Sequence, residues 1–284
     1  MDKKILLSRM KKSIFFNIGI IGIIFIILLC YVGPLFIEWD PYTTSVTDRF
    51  LAPEGFKNGL KGHILGTDAV GRDMLIRLLI GGQYSFRLAF FVVILQVSIG
   101  TVLGLLAGYI GGWVDMIIMR ACDALMAMPT MIISIAVIAI LGQSLTNLIF
   151  IMTLSGWVQL CKVTRNNVSV VKKQEFVSAS KALGAKLPHI VFSQIFPNVT
   201  TNIIILGSQR IGMTIIVEAS LSYLNLGIKP PAPSWGNMIS LGRNYLVTQP
   251  WMILVPGFTL MIAVLSFNFL GDGIRDILDT KRKI

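Results

Sequence analysis

Four ionisable side chains interrupt stretches of sequence that are otherwise apolar: Arg120, Asp123, Arg210 and Glu218. A charge at membrane depth costs at least about 2.5 kcal/mol, so such a group normally faces a protein interior or a water-filled cavity. Arg120 and Asp123 are three residues apart, which puts them on one helix face, where they can pair. Arg120 has a second reading, near a surface, with its long side chain snorkelling to the headgroups. Arg210 stands beside Gln209, and Glu218 follows two turns later. For these two the reading is a translocation path or a subunit interface, so all four are candidates for lining a path.

Covalent chemistry finds no candidates. No G-x-x-x-x-G-K-[ST] stretch is present to cradle nucleotide phosphates. The only histidines, His63 and His189, fall outside the apolar blocks, and no nucleophile–base pair or metal-ligand cluster is visible. Cys30, Cys122 and Cys161 are far apart and inside or beside apolar blocks, which reads as buried thiols. The chain is not an enzyme by this reading, and any energy it uses must come from a partner or an ion gradient.

The elements that must position these groups follow from composition. The 284 residues are 54% hydrophobic and 14% charged, against about 25% charged in soluble domains. A water-soluble enzyme, a disordered chain and a disulfide-rich secreted fold are all excluded. Apolar blocks long enough for the roughly 20 residues of a membrane helix occur at 13–37, 84–110, 116–141, 145–163, 201–226 and 251–270. The first follows a basic head but is too long for a signal-peptide core and lacks a small-x-small site after it, so it reads as an uncleaved span. The chain then divides into a head (1–12), a first span (13–37), an outer loop (38–83), a five-helix core (84–271) and a tail (272–284).

Net charge is +11, and 15 of the 25 basic residues lie in three places. They are Lys3, Lys4, Arg9, Lys11 and Lys12 in the head; Lys162, Arg165, Lys172, Lys173, Lys181 and Lys186 around the fourth connection; and Arg275, Lys281, Arg282 and Lys283 in the tail. With six spans these fall on one side, which the excess of positive charge marks as cytoplasmic. The expectation is a multi-pass protein of the cytoplasmic membrane with both termini inside, its partner lipid rather than nucleic acid.

Within the spans, Gly100, Gly104, Gly108 and Gly112 recur every four residues and should let a second helix approach closely. Pro129 should kink the third span. The connection 163–198 is longer than a simple linker, and it is neither very polar nor low in complexity. Val177, Ala179, Ala182 and Leu183 mark a short amphipathic helix ended by Gly184; Ile190, Val191, Ile195 and Phe196 start a second apolar face closed by Pro197. Such an element suits a docking surface or an interfacial helix resting on lipid.

This segment resembles the coupling loop of importer-type ABC transporter permeases: Glu-Ala-Ala, three residues, Gly, nine residues, Ile-x-Leu-Pro. Ser178-Ala179-Ser180, Gly184 and Phe196-Pro197 occupy those positions, with Ser178, Ser180, Gln194 and Phe196 departing from the motif. Segments 63–86, 111–129, 218–239 and 267–279 are similar to signatures of the dipeptide/oligopeptide/nickel permease subfamily, in its C-type member. The resemblance implies an all-α polytopic protein, six transmembrane helices in the type I ABC importer permease fold with a cytoplasmic coupling-helix loop. It implies half of a pore completed by a homologous second permease, two cytoplasmic ATPase subunits that bind ATP and magnesium, and an extracytoplasmic substrate-binding protein. Coupling to the ATPase would fall to Glu175, Ser178, Ala179, Ser180, Gly184 and Pro197, and no cofactor would be bound by this chain.

In the outer loop, Gly66, Thr67, Asp68, Gly71, Arg72 and Asp73 read as a turn and helix cap, with Thr67 or Asp68 meeting free amides. The run 73–81 would then lie on the outer surface. The group serves either as a platform facing the binding protein or as a rigid elbow between spans one and two. The segment 230–238 reads as a stiff proline-rich outer loop whose Trp235 can anchor at the interface. Relatives of this subfamily carry peptides, nickel or metal chelates. No span contains histidine, the methionines scatter at packing positions, and Arg210 suits a carboxylate, so the expected cargo is a di- or oligopeptide. Nickel or a metal chelator is the alternative, and an ion-coupled secondary transporter a remote one.

Overall fold

A computed structural model of the chain describes residues 3–55, 57–59 and 62–278, with side chains from Ser8 onward. Lys281, Arg282 and Lys283 of the expected tail lie outside the described residues. Helix dominates, and the β-contact among the described residues is an isolated bridge between Thr67 and Asp73.

A short helix α1 (Lys3–Lys12) leads into α2 (Ile14–Val32), which Ser13 caps by accepting the Phe16 N–H. A 3₁₀ turn at Gly33–Phe36 ends the first span near the expected boundary. Helix α2 lies against α11 (Trp251–Leu278). Gly19 allows that approach, since a first side-chain carbon there would come within 2.8 Å of the Leu270 Cα.

Helix α3 (Met74–Ile110) is a single rod of 37 residues, about 55 Å long at 1.5 Å per residue. It begins ten residues before 84, so the run 73–81, expected to lie on the outer surface, is the cap and first turns of this rod. Gly81 and Gly82 do not break it, because their bareness is filled by neighbours. A side chain at Gly82 would meet the Trp235 ring at 2.8 Å, and one at Gly81 would press on the Ser234 backbone.

The broadest helix–helix interface joins α3 to α6 (Leu145–Val171). Side chains at Gly100, Gly104 and Gly108 would come within 2.7, 2.6 and 2.7 Å of Leu160, Thr164 and Arg165 respectively. The stripe is three residues long rather than four. Gly111 (φ +73°) ends the helix, and Gly112 (φ +57°) has open space around it. Lacking a side chain, Gly111 adopts a left-handed turn at little cost, which stops the stripe.

The third span is broken rather than kinked. Helices α4 (Gly112–Met126) and α5 (Thr130–Leu141) meet at 86°. Pro129 has no N–H to continue α4, and its carbonyl instead accepts from Ile132 and Ile133 to start α5. Among the described residues, five helices are long and apolar enough to cross a membrane, and six spans result if the bent pair counts as one.

Helix α6 runs eight residues beyond 163 and ends just before α7 (Glu175–Ala182). After α7 the chain is helical again from Leu187 to Tyr223: α8 (Leu187–His189), a π-helical turn at Ile190–Ile195, and α9 (Phe196–Tyr223). Pro197 was expected to close a helix; it sits in the first turn of α9 instead. The wide turn before it carries the change, with Phe196 N–H reaching five residues back to the Val191 carbonyl.

The outer segment 230–238 is not simply a stiff loop. Ser234 caps a further helix, α10 (Trp235–Gly242), by accepting the Asn237 N–H at 3.2 Å. Trp235 is fully buried rather than at the lipid interface. Its indole N–H donates to the Leu78 carbonyl at 3.0 Å and its ring meets Phe86 edge-on, in the slot vacated by Gly82.

Candidate functional site

Two features could do work: the elbow between α6 and α9, and a cavity among the spans. The elbow is built outward from Val177, which has no solvent exposure and packs with Val168, Ile190, Ile195, Val199 and Leu105. The Gln194 side-chain N–H donates to Ser180 Oγ at 2.6 Å, so two of the departures from the family motif are partners of one another. Lys172 and Lys181 both lie over the Tyr109 ring, tying the elbow to the end of α3. At the C-terminus of α7, Leu183 N–H bonds to the Ala179 carbonyl and Ala185 N–H to that of Ser180. That closure passes through Gly184 at φ +79°, a conformation glycine adopts without strain.

This anchoring leaves an outward face. Glu175, Ser178, Ala179 and Gly184 are exposed, and Ser180 is half-buried by its bond to Gln194. Leu183 (89% exposed), Leu187 (57%) and Phe192 (67%) lie bare beside them. Pro197 is exposed on α9 rather than on the short helix itself.

The cavity, of about 340 Å³, is lined from α3 by Gln96, from α5 by Thr130, Met131 and Ser134, from α6 by Met152, Ser155 and Gly156, and from α9 by Arg210, Met213, Thr214 and Val217. Arg210 donates to the Gln159 side-chain carbonyl at 2.6 Å, and among the described residues no carboxylate pairs with it. Gly156 makes room for Gln96, whose N–H bonds to the Met152 carbonyl at 2.8 Å.

The other three path candidates are elsewhere. Glu218 is 1% exposed and accepts from Ser85 at 3.2 Å and Ser222 at 2.7 Å, inside the junction of α3 and α9. Its carboxyl is satisfied there and does not reach the cavity. Asp123 pairs with Lys162 at 2.8 Å, not with Arg120. A lysine on the facing helix α6 wins over the neighbour one turn back. Asp115 and Arg165 form a second ion pair between the same helices. Arg120 is exposed on α4, away from the cavity.

The outer-loop group is turned into this chain. Gly66, Thr67, Asp68, Gly71 and Asp73 are buried within this chain, and half-buried Arg72 is turned inward. Asp68 accepts from the Val70 and Arg72 amides at 2.9 and 3.0 Å and from Arg72 Nε at 2.7 Å, and it lies 3.6 Å from Arg77 Nε. Thr67 Oγ1 accepts from Leu51 N–H and donates to the Asp48 carbonyl. The helix cap is Asp73, which accepts the Ile76 N–H and pairs with His63, itself stacked on Trp39. Polar groups that satisfy one another so fully have little left for a partner, which favours the rigid elbow over the platform. Reading the sequence did not single out Gln96 or Gln159, although each is an amide inside an apolar block.

Residues 100–284 match the family model of the binding-protein-dependent transport system inner membrane component. Residues 4–53 match the N-terminal TM domain of oligopeptide transport permease C. The chain is 37% identical to the dipeptide transport system permease protein DppC of Alkalihalophilus pseudofirmus over 276 residues, 97% of this chain and 89% of the relative. It is 35% identical to the oligopeptide transport system permease protein OppC of Bacillus subtilis over 96% of this chain and 88% of that one. To the glutathione transport system permease protein GsiD of Pectobacterium atrosepticum it is 41% identical, over 78% of this chain and 73% of the relative. Together with the long apolar helices, these matches place the chain: it is a multi-pass membrane permease that belongs to the binding-protein-dependent transport system inner membrane component family.

Proposed function

We propose that this chain is the C-type permease subunit of an ATP-driven importer of short peptides. The observation that carries the cargo assignment is near-full-length similarity to permeases named for dipeptides and oligopeptides. A relative named for glutathione fits the same class, because glutathione is a tripeptide. The pore is completed by a homologous second permease, and a substrate-binding protein delivers cargo from outside. ATP and magnesium belong to two ATPase subunits on the cytoplasmic side. The basic residues of the head and of 162–186 support that orientation, with both termini inside.

The bare face of α7 suits a groove on the ATPase. Glu175, Ser178, Ala179 and Gly184 present small or polar groups there, and Leu183 offers an apolar contact. Closure of the ATPases would push α7, and with it the ends of α6 and α9, rocking the spans from inward- to outward-facing.

The test is uptake of a labelled dipeptide into proteoliposomes holding this chain with its second permease, ATPases and receptor. Expected is accumulation that stops on ATP removal and survives an uncoupler. Uphill transport by this chain alone, or uptake of nickel with none of peptide, would overturn the reading.

A further inference from the structure

Arg210 is a cation in the middle of a span with only a neutral amide, Gln159, for a partner among the described residues. A guanidinium has five donors and its strongest match is a carboxylate, taken two bonds at once. On another wall of the same cavity, Gln96 is 3% exposed and its carbonyl oxygen is left without a hydrogen-bond partner. A buried acceptor in that state carries a desolvation cost; the oxygen is enclosed beside Gly156, so a donor in the cavity removes that cost by turning the amide toward it. One unpaired cation and one unpaired acceptor therefore border a space of about 340 Å³, within the range of small-ligand sites.

We propose that Arg210 and Gln96 form a peptide-reading subsite, with Arg210 taking the cargo's terminal carboxylate and the Gln96 carbonyl accepting a backbone N–H. The resting Arg210–Gln159 bond is then a placeholder: Gln159 holds the guanidinium until a carboxylate displaces it. Ser134, Thr214 and Ser155 add hydroxyls of either sense, and Met131, Met152 and Met213 are flexible, polarisable walls that fit varied side chains. Such a site reads what all short peptides share, charged terminus and amide, and ignores the residues between.

This proposal rests on the peptide-import reading, and the experiment separates the two. Uptake of a dipeptide and of its C-terminally amidated analogue is compared in the reconstituted complex, for wild type and for Arg210→Gln and Arg210→Lys. The receptor's own preference is common to all three, so it cancels when the acid-to-amide ratio is compared between variants. The ratio is expected to fall about tenfold or more in Arg210→Gln, about 1.4 kcal/mol, with partial recovery in Arg210→Lys. Gln96→Leu should lower uptake of the normal dipeptide and abolish its advantage over a peptide-bond N-methylated analogue. Complex yield and basal ATP hydrolysis serve as controls for folding. If wild type imports neither peptide form, the functional reading fails and this one with it. If wild type imports peptide while the acid-to-amide ratio is the same in Arg210→Gln, the subsite alone is refuted.

Discussion

Gly184 separates backbone strain from steric obstruction. It sits at φ +79°, and a first side-chain carbon there would find nothing within 4 Å. Any L-residue placed there takes on the left-handed conformation at about 1–2 kcal/mol, whatever its size. That strain acts on a small elbow held by burial of Val177, which contributes about 1.5–3 kcal/mol, and by the Gln194–Ser180 hydrogen bond, about 1 kcal/mol. The anchors exceed the strain, so the elbow stays formed in both Gly184→Ala and Gly184→Trp. Thermal unfolding of the purified complex should shift little and alike for the two. Function should not. The alanine projects one carbon and keeps most uptake, whereas the indole stands in the open space where the ATPase is proposed to dock. Gly184→Trp should assemble in the membrane yet lose peptide-stimulated ATP hydrolysis and uptake together. Normal uptake by the tryptophan variant removes the docking argument. Equal loss in both variants would mean that the turn itself, and not the open face, is what coupling requires.

Three further perturbations probe the scaffold. Gly104→Ala forces a carbon to within 2.6 Å of Thr164 and should cost about 1–3 kcal/mol by overpacking. Gly257→Ala in α11, where nothing lies within 4 Å, should be neutral or stabilising by up to about 1 kcal/mol; unfolding temperatures in one detergent compare them. Asp68→Asn removes the carboxylate nearest Arg77, which is 1% exposed. Because Arg77 keeps its bond to the Pro41 carbonyl, the loss should be near the lower end for a broken buried pair, about 3 kcal/mol. It should appear as protease sensitivity of the outer loop.

The existence of the spans was legible because hydrophobic length alone dictates it, and the short helix before Gly184 because its apolar spacing and its stop signal agree. What sequence could not supply was the identity of the facing residue. Asp123 looked paired to Arg120 from spacing on one helix, yet Lys162, 39 positions away, is its partner. Trp235 looked like an interfacial anchor because tryptophan often is one, and only the slot over Gly82 makes it core. The outer-loop residues looked available because they are polar, and they are buried because each finds its partner within 48–77. Boundaries failed for a related reason. A glycine pair is a break only if nothing packs into it, as Gly81 and Gly82 demonstrate, and a proline only where its missing N–H is needed, which in the first turn of α9 it is not.

The elbow and the cavity are joined by the two helices that flank the elbow. Helix α6 carries Met152, Gly156 and Gln159 and runs on to Val171 at the elbow; the helical run from Leu187 on the other side carries Arg210. From Leu187 to Arg210 is 23 residues, about 35 Å of helix, so displacement at α7 is delivered along stiff rods. The Arg210–Gln159 bond crosses from α9 to α6 at 2.6 Å, and a hydrogen bond is lost beyond about 3.5 Å. Drawing the two groups apart by roughly 1 Å along the bond is enough to release the guanidinium. The group proposed to hold the cargo carboxylate is thus tethered across the pair of helices that force at the elbow would move, which would tie the proposed cargo grip to the proposed ATPase stroke.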